Sequence, residues 1–370
     1  MMENKHMKTI LAMWTLLSLS ALTTAHAGNG FPPFSWDSVP VYAHFGIGTG
    51  LEPEEYDFVA EHFDFIGLTA GKVKRGDTCE PYIGKGASEI KKRNPDAKVL
   101  FYWCPCQRKR AWAQFNANFP ENGFMPDGEQ FDVTQKDLRD WWTDWAAIAA
   151  HDYSCDGLFL DGLCQEQPGF LWSRRYGDEK AALMDKAMIQ MMKEAREKIG
   201  PNKLFIFNEL HAPDGERYFE VTDGAMIADF DQAPNVKRQG LDYLVKTIEA
   251  ASKAGREGNI VIFKGWPGFT WWSDKEMMKK PVEEIHKVAK ERITFPLACF
   301  LVAAEKYSYF CYTWGWLPEW GSLVWYPELD KPLGPPKGKA IRKGWTYQRE
   351  FAHASVFVDL ENKTAKIDWK

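Results

Sequence analysis

Many common enzyme signatures are missing from this chain. It has no G-x-S-x-G elbow, no H-E-x-x-H pair, and no glycine-rich dinucleotide or phosphate loop after any apolar run. These absences remove the usual serine-hydrolase, zincin and nucleotide-binding readings. The eight histidines stand singly, which disfavours a metal-dependent barrel hydrolase. Cys104 and Cys106 form a C-x-C with no second cysteine or histidine pair, so neither a metal nor a cofactor is expected.

Any excess of positive charge is also missing. Lys and Arg number 46 against 51 Asp and Glu, a net −5, and a nucleic-acid binder should be basic. The dense basic run RKR at 108–110 reads as a solvated loop. Long apolar runs are limited to Ile10–Leu22, shorter than the ~20 residues that span a bilayer. Lys5 and Lys8 precede it and Ala25-His26-Ala27 follows, so residues 1–27 read as a secretory signal, translated from Met7 and cleaved after Ala27. Its removal takes Glu3, Lys5 and Lys8 and leaves 44 basic against 50 acidic residues, a net −6. The expected product is exported and free of the membrane. All seven cysteines lie beyond this segment; export permits disulfides, and the odd number leaves at least one thiol over.

What is present is a recurring unit of apolar run, loop and helical pattern. The runs are 40–48, 63–70, 98–105, 156–163, 203–210, 224–231, 259–266 and 307–316. They are continuously apolar rather than alternating, as strands of a parallel sheet covered by helices should be. Helical periodicity marks 137–151, 178–200, 241–255 and the stretch around 283–304. Between the fifth and sixth runs there is room for only one or two helical turns. Eight strands with intervening helices predict a (β/α)₈ TIM barrel over residues 28–330. Residues 331–370 carry two short alternating runs, SVFVDL and AKIDW, which predict a β-hairpin extension packed on the barrel.

In such barrels the C-terminal strand ends build the active site. Asp161 ends the fourth run in DGLFLDGL, Asn208 and Glu209 end the fifth, and Asp229 and Asp231 end the sixth. A buried strand has no packing use for a terminal carboxylate. Paired acids shift each other's protonation, so that one can donate a proton while its neighbour attacks or accepts one. Glycoside hydrolysis requires that pairing, at about 5–5.5 Å for retention or about 6.5–9.5 Å for inversion. The candidate catalytic residues are therefore Asp161, Asp229 and Glu209. Side chains alternate along a strand, so Ile227, Asp229 and Asp231 share one face and Ala228 the other. Asn208 is expected to face inward, turning Glu209 toward the rim. Asp161 is assigned as nucleophile or base and Asp229 as general acid, with Glu209 as the alternative.

Tryptophans gather at the same level: Trp103 on the third run, Trp266 on the seventh, Trp314 and Trp316 on the eighth, with Trp271 and Trp272 in the loop after the seventh. The axial C–H groups of a sugar ring pack on an indole face while its hydroxyls seek polar partners. Candidate substrate-binding residues are His44, Tyr102, Trp103, Asn208, Asp231, Lys264, Trp266, Trp314 and Trp316. The implied partner is a polysaccharide or oligosaccharide. Cys104, Cys106 and Cys164 fall on the rim of adjacent strands, which predicts a bridge, most plausibly Cys106 to Cys164.

The segments DGLFLDG, FIFNEL and LGPPKGKAIRKGWTYQREFAHASVFVDL resemble the TIM-barrel glycoside hydrolases called glycosyl-hydrolase-like family fifteen, over roughly residues 40 to 360. The resemblance implies a secreted or surface enzyme acting on polysaccharide, with Asp161 in its active site. Members of that family often show a Glu where this chain has Ala228. This departure supports a second reading, a carbohydrate-binding barrel that has lost catalysis.

Overall fold

All eight apolar runs form strands: β1 Ala43–Gly46, β2 Phe65–Thr69, β3 Lys98–Tyr102, β4 Gly157–Leu160, β5 Leu204–Asn208, β6 Gly224–Ile227, β7 Ile260–Gly265 and β8 Ser308–Tyr312. The computed structural model describes residues 30–74, 76–107, 112, 117–163, 171–212, 214–231 and 240–370. The secretory segment 1–27, the basic run 108–110 and Cys164 lie outside these residues. So does the expected Cys106–Cys164 bridge, although Cys106 itself is buried with its Sγ 3.5 Å from that of Cys104.

The strands pair in parallel in chain order, β1 to β8. Val41 pairs in parallel with Phe310, and Tyr42 N–H donates to Phe310 O at 2.8 Å, which joins the last strand to the first. Helices Pro53–His62, Glu80–Arg93, Lys136–His151, Asp178–Ile199 and Leu241–Arg256 cover the sheet. The stretch around 283–304 divides into two helices, Val282–Arg292 and Thr294–Ala303. Between β5 and β6 the connection is a single 3₁₀ segment, Gly215–Glu220. Too few residues separate these strands for a full helix.

Two apolar layers result. Val99, Phe101, Leu158, Leu160, Phe205 and Phe207 face the helices. Tyr42, Phe65, Leu100, Phe159, Leu204, Ile206, Met226, Ile260, Ile262 and Tyr309 fill the barrel. Below them the chain before β1 closes the floor: Phe31 and Phe34 pack on Tyr307, and the Tyr309 hydroxyl donates to Pro32 O and Pro33 O, each at 3.1 Å. Water is thereby kept from one end, and the polar residues of the interior collect at the other.

The C-terminal extension is larger than the expected hairpin. Ala354–Asp359 and Thr364–Trp369 do pair as a hairpin, β11 and β12. Ile341–Lys343 (β9) and Thr346–Glu350 (β10) extend it to a four-stranded antiparallel sheet, ordered β12-β11-β10-β9. Arg349, buried in β10, donates to Leu301 O at 3.1 Å and also reaches Ala304 O, both at the end of helix Thr294–Ala303. One guanidinium thus caps an outer helix and fastens the sheet to the barrel.

Candidate active site

Side-chain alternation decides which strand-end residues enter the barrel. The inward series runs Tyr42 just before β1 and His44 on it, Leu100 and Tyr102 on β3, Phe159 on β4 and then Asp161 after it. It continues with Ile206 and Asn208 on β5, Met226 on β6 and Ala228 just after it, and Ile262 and Lys264 on β7.

Asp161 is the centre of this group. The Tyr102 hydroxyl donates to its Oδ2, and Asn208 Nδ2 donates to its Oδ1 at 3.0 Å. The Asn208 amide is oriented by its own neighbour, because its Oδ1 accepts the Glu209 N–H at 2.9 Å. That contact leaves the NH₂ as the end available to the carboxylate. Burial raises the Tyr102 pKa well above the ordinary phenol value and the nearby Asp161 charge raises it further, so the hydroxyl stays a donor. Cys104 Sγ contacts the Asp161 carbonyl oxygen at 3.3 Å, steadying the chain where β4 ends.

His44 lies beside this carboxylate and is buried, with its ring centroid 4.5 Å from Phe159 and 5.2 Å from Trp316. Burial lowers its pKa to about 4; Asp161 opposes the shift and Lys264 adds to it. The imidazole is therefore neutral near pH 7. Tyr42 OH lies 2.8 Å from its Nδ1. A buried hydroxyl hydrogen needs an acceptor, so this contact assigns the imidazole proton to Nε2.

Lys264 is fully buried on β7. Its Nζ donates to Thr313 O at 2.5 Å and to Gly265 O at 3.0 Å, and sits 3.7 Å from the Trp266 ring centroid. Burial lowers its pKa to about 7, against the opposing effect of Cys311. Trp266 donates its indole N–H to Ala228 O at 2.7 Å and meets Trp316 edge to face at 5.6 Å.

The expected residues thus divide. Asp161, Tyr102, Asn208, His44, Lys264, Trp266 and Trp316 share one end of the barrel. Trp103 faces outward and stacks on Trp112 and Trp142 against helix Lys136–His151. Trp314 is also turned away; it is 1% exposed and packs on Phe269 and His286. Asp231 pairs with Lys363 in the β11–β12 turn, and burial raises its pKa. None of these three joins the group around Asp161. At the end of β6 the inward residue is Ala228, and Asp229 follows it, half-buried, with its carbonyl accepting the Tyr243 hydroxyl at 3.3 Å. Glu209 is half-buried and takes a left-handed backbone conformation, φ 76°.

Sequence reasoning passed over Tyr42 and Gly67. Tyr42 stands two residues before His44 and so on the same face, which was a readable signal. A Cβ on Gly67 would lie 2.0 Å from Tyr42 OH and 2.5 Å from His44 Nδ1. A glycine inside an apolar strand marks such a close approach.

The strand order defines the chain as a TIM barrel, and its mouth is centred on the Asp161 carboxylate. Residues 91–355 match the family described as hypothetical glycosyl hydrolase family 15, and the chain belongs to that family. Among solved structures it is similar to the glycoside hydrolase domain of PelA from Pseudomonas aeruginosa, at 13% identity and a TM-score of 0.47, covering 78% of this chain and 96% of that one. It is also similar to an α-amylase from Geobacillus thermoleovorans complexed with acarbose, at 11% identity and a TM-score of 0.50, covering 89% and 87% of the two chains. At 11% identity this second likeness is one of fold. No curated protein sequence matches the chain.

Proposed function

We propose that the protein is an exported glycoside hydrolase that cleaves a polysaccharide or oligosaccharide at Asp161. The observation that carries this reading is the pair of hydrogen bonds from Tyr102 and Asn208 to the two oxygens of that carboxylate. Both oxygens accept, so the group presents lone pairs, as a nucleophile or base must. A second acid then protonates the glycosidic oxygen as the bond to the anomeric carbon breaks. Asp229 and Glu209 are the two candidates for that proton donor. Trp316, held in place by the buried Trp266, supplies an apolar ring face, and His44 Nε2–H a neutral donor for a sugar hydroxyl.

The test is release of reducing ends from a panel of polysaccharides by the protein and by Asp161→Asn. Turnover lost in the variant supports the reading; equal turnover in both ends it. A second reading, a binding barrel without catalysis, rests on Ala228, which leaves the inward end of β6 without a carboxylate. Glycan binding with no reducing ends from any polymer would favour that alternative. Export rests on the segment before Gly28, and the N-terminal residue of the secreted protein tests it.

A further inference from the structure

Trp271 and Trp272 are 40% and 41% exposed, although nearly every other tryptophan with a described environment is packed. Two adjacent indoles held open to solvent cost hydration free energy, and exposed apolar clusters of this kind mark binding surfaces. We propose that they form a distal glycan subsite, and that the substrate is an extended polysaccharide chain running from Asp161 to the rim after β7. This inference rests on the carbohydrate reading above.

The rings are continuous with the mouth. From His44 the path passes to Trp316 at 5.2 Å, to Trp266 at 5.6 Å, to Trp272 at 5.1 Å and to Trp271 at 5.6 Å. Both ring contacts of Trp272 are nearly perpendicular, at 83° and 81°, so among the described residues no indole lies flat against it. Trp271 is stacked on Trp320 at 4.7 Å and 12°, which supports it from behind.

The loop is built to hold them. Trp271 N–H donates to Trp314 O at 2.9 Å, Ser273 N–H to Thr270 Oγ1 at 3.0 Å, and Met277 N–H to Asp274 Oδ1 at 2.9 Å. A Cβ on Gly315 would sit 2.6 Å from Trp320 Cε3 and 3.0 Å from Trp271 Cδ1. Only glycine lets the chain after β8 pass this close beneath the stacked pair. Lys72 and Glu319 beside Trp320 neutralise each other at 2.6 Å, so the rim there favours an uncharged sugar face over an ionic ligand. A preorganised aromatic surface binds pyranose C–H faces with little ordering cost.

The experiment is native affinity electrophoresis through gels holding, in turn, hydroxyethyl cellulose, soluble starch, xylan, galactomannan or glycol chitosan. Asp161→Asn is the parent, so that retention reads binding alone, and Trp271→Ala or Trp272→Ala is added to it. Phe357→Ala, an exposed aromatic on the C-terminal sheet, is the control, and matched melting temperatures establish folding. At least one polymer should retard the parent, and Trp272→Ala should weaken that retention roughly tenfold, with Phe357→Ala unchanged. Equal retention of Trp272→Ala and its parent, or no retention of the parent by any polymer, overturns the subsite. Reducing ends released by the unmutated protein are measured on the same polymers. Turnover with unaltered Trp272→Ala retention removes the subsite and leaves the hydrolase, whereas retention lost in Trp272→Ala without any turnover keeps the subsite and removes the hydrolase.

Discussion

The hydroxyl of Tyr42 lies 2.8 Å from Nδ1 of His44, and through it one buried phenol sets the proton position of an imidazole beside Asp161. Removing it leaves a buried ring nitrogen without a partner, a loss of about 1–3 kcal/mol. Tyr42→Phe should therefore lower both thermal stability and turnover, measured by melting temperature and by kcat on the best polymer. An unchanged kcat would show that the tautomer has no part in turnover.

The same imidazole predicts an acid sensitivity. Its folded pKa of about 4 lies below the ordinary 6.5, so as pH falls the unfolded chain takes the proton first. Stability from this group is fully present above pH 6.5 and is lost between 6.5 and about 4, on the order of 3 kcal/mol in all. Melting temperature against pH should fall less steeply across that window in His44→Gln than in the parent. Parallel curves would contradict the assignment.

Gly67→Ala should disturb the site from beneath. Its Cβ would overlap both Tyr42 OH and His44 Nδ1, and overpacking of this kind costs about 1–3 kcal/mol. The expected result is a lower melting temperature together with a loss of turnover that tracks displacement of His44. Full activity with an unchanged melting temperature would mean that β1 and β2 separate at no cost.

Glu209 offers a way to separate backbone from chemistry. Its φ of 76° is unfavourable for a side chain with a Cβ by about 1 kcal/mol, so Glu209→Gly should be neutral or stabilising in denaturant titration. If Glu209 is the proton donor, Glu209→Gly and Glu209→Gln will both lose polymer turnover, typically by 10²–10⁴-fold. They will then recover on aryl glycosides whose leaving group needs no protonation. Recovery confined to Asp229→Asn would place the donor on β6 instead.

Arg349 should prove the main fastening of the C-terminal sheet. It is 3% exposed, caps the helix ending at Ala303, and pairs with Glu305 at 3.4 Å. Arg349→Met strips those carbonyls and that acid of a buried partner, costing about 3 kcal/mol. Proteolysis after Lys337 or Lys339 should accelerate accordingly, and cleavage at the parent's rate would assign the fastening elsewhere.

The strand count, the chain order of the barrel and the short β5–β6 connection were all legible in the sequence, because each depends on local composition and on the length of chain between apolar runs. Asp161 was legible for the same reason: a carboxylate closing an apolar run has no packing purpose. The inward expectation for Asn208 came from the usual role of an amide beside a strand-end acid, and not from the pattern of FIFNEL.

Which face of each strand meets the barrel axis was decided by the tertiary structure alone. Alternation along GAMIADFD separates Ala228 from Asp229 and Asp231, but both faces of a strand in this barrel are apolar and pattern does not name the inner one. The barrel turns Met226 and Ala228 inward, and by the same choice packs Trp103 and Trp314 among the outer helices. Asp231 found its partner, Lys363, 132 residues away, in the turn of a sheet whose first two strands, IRK and TYQRE, are mostly polar and carry little apolar alternation. Local sequence dictates where strands run and end; the closure of eight of them around one axis dictates what each end faces.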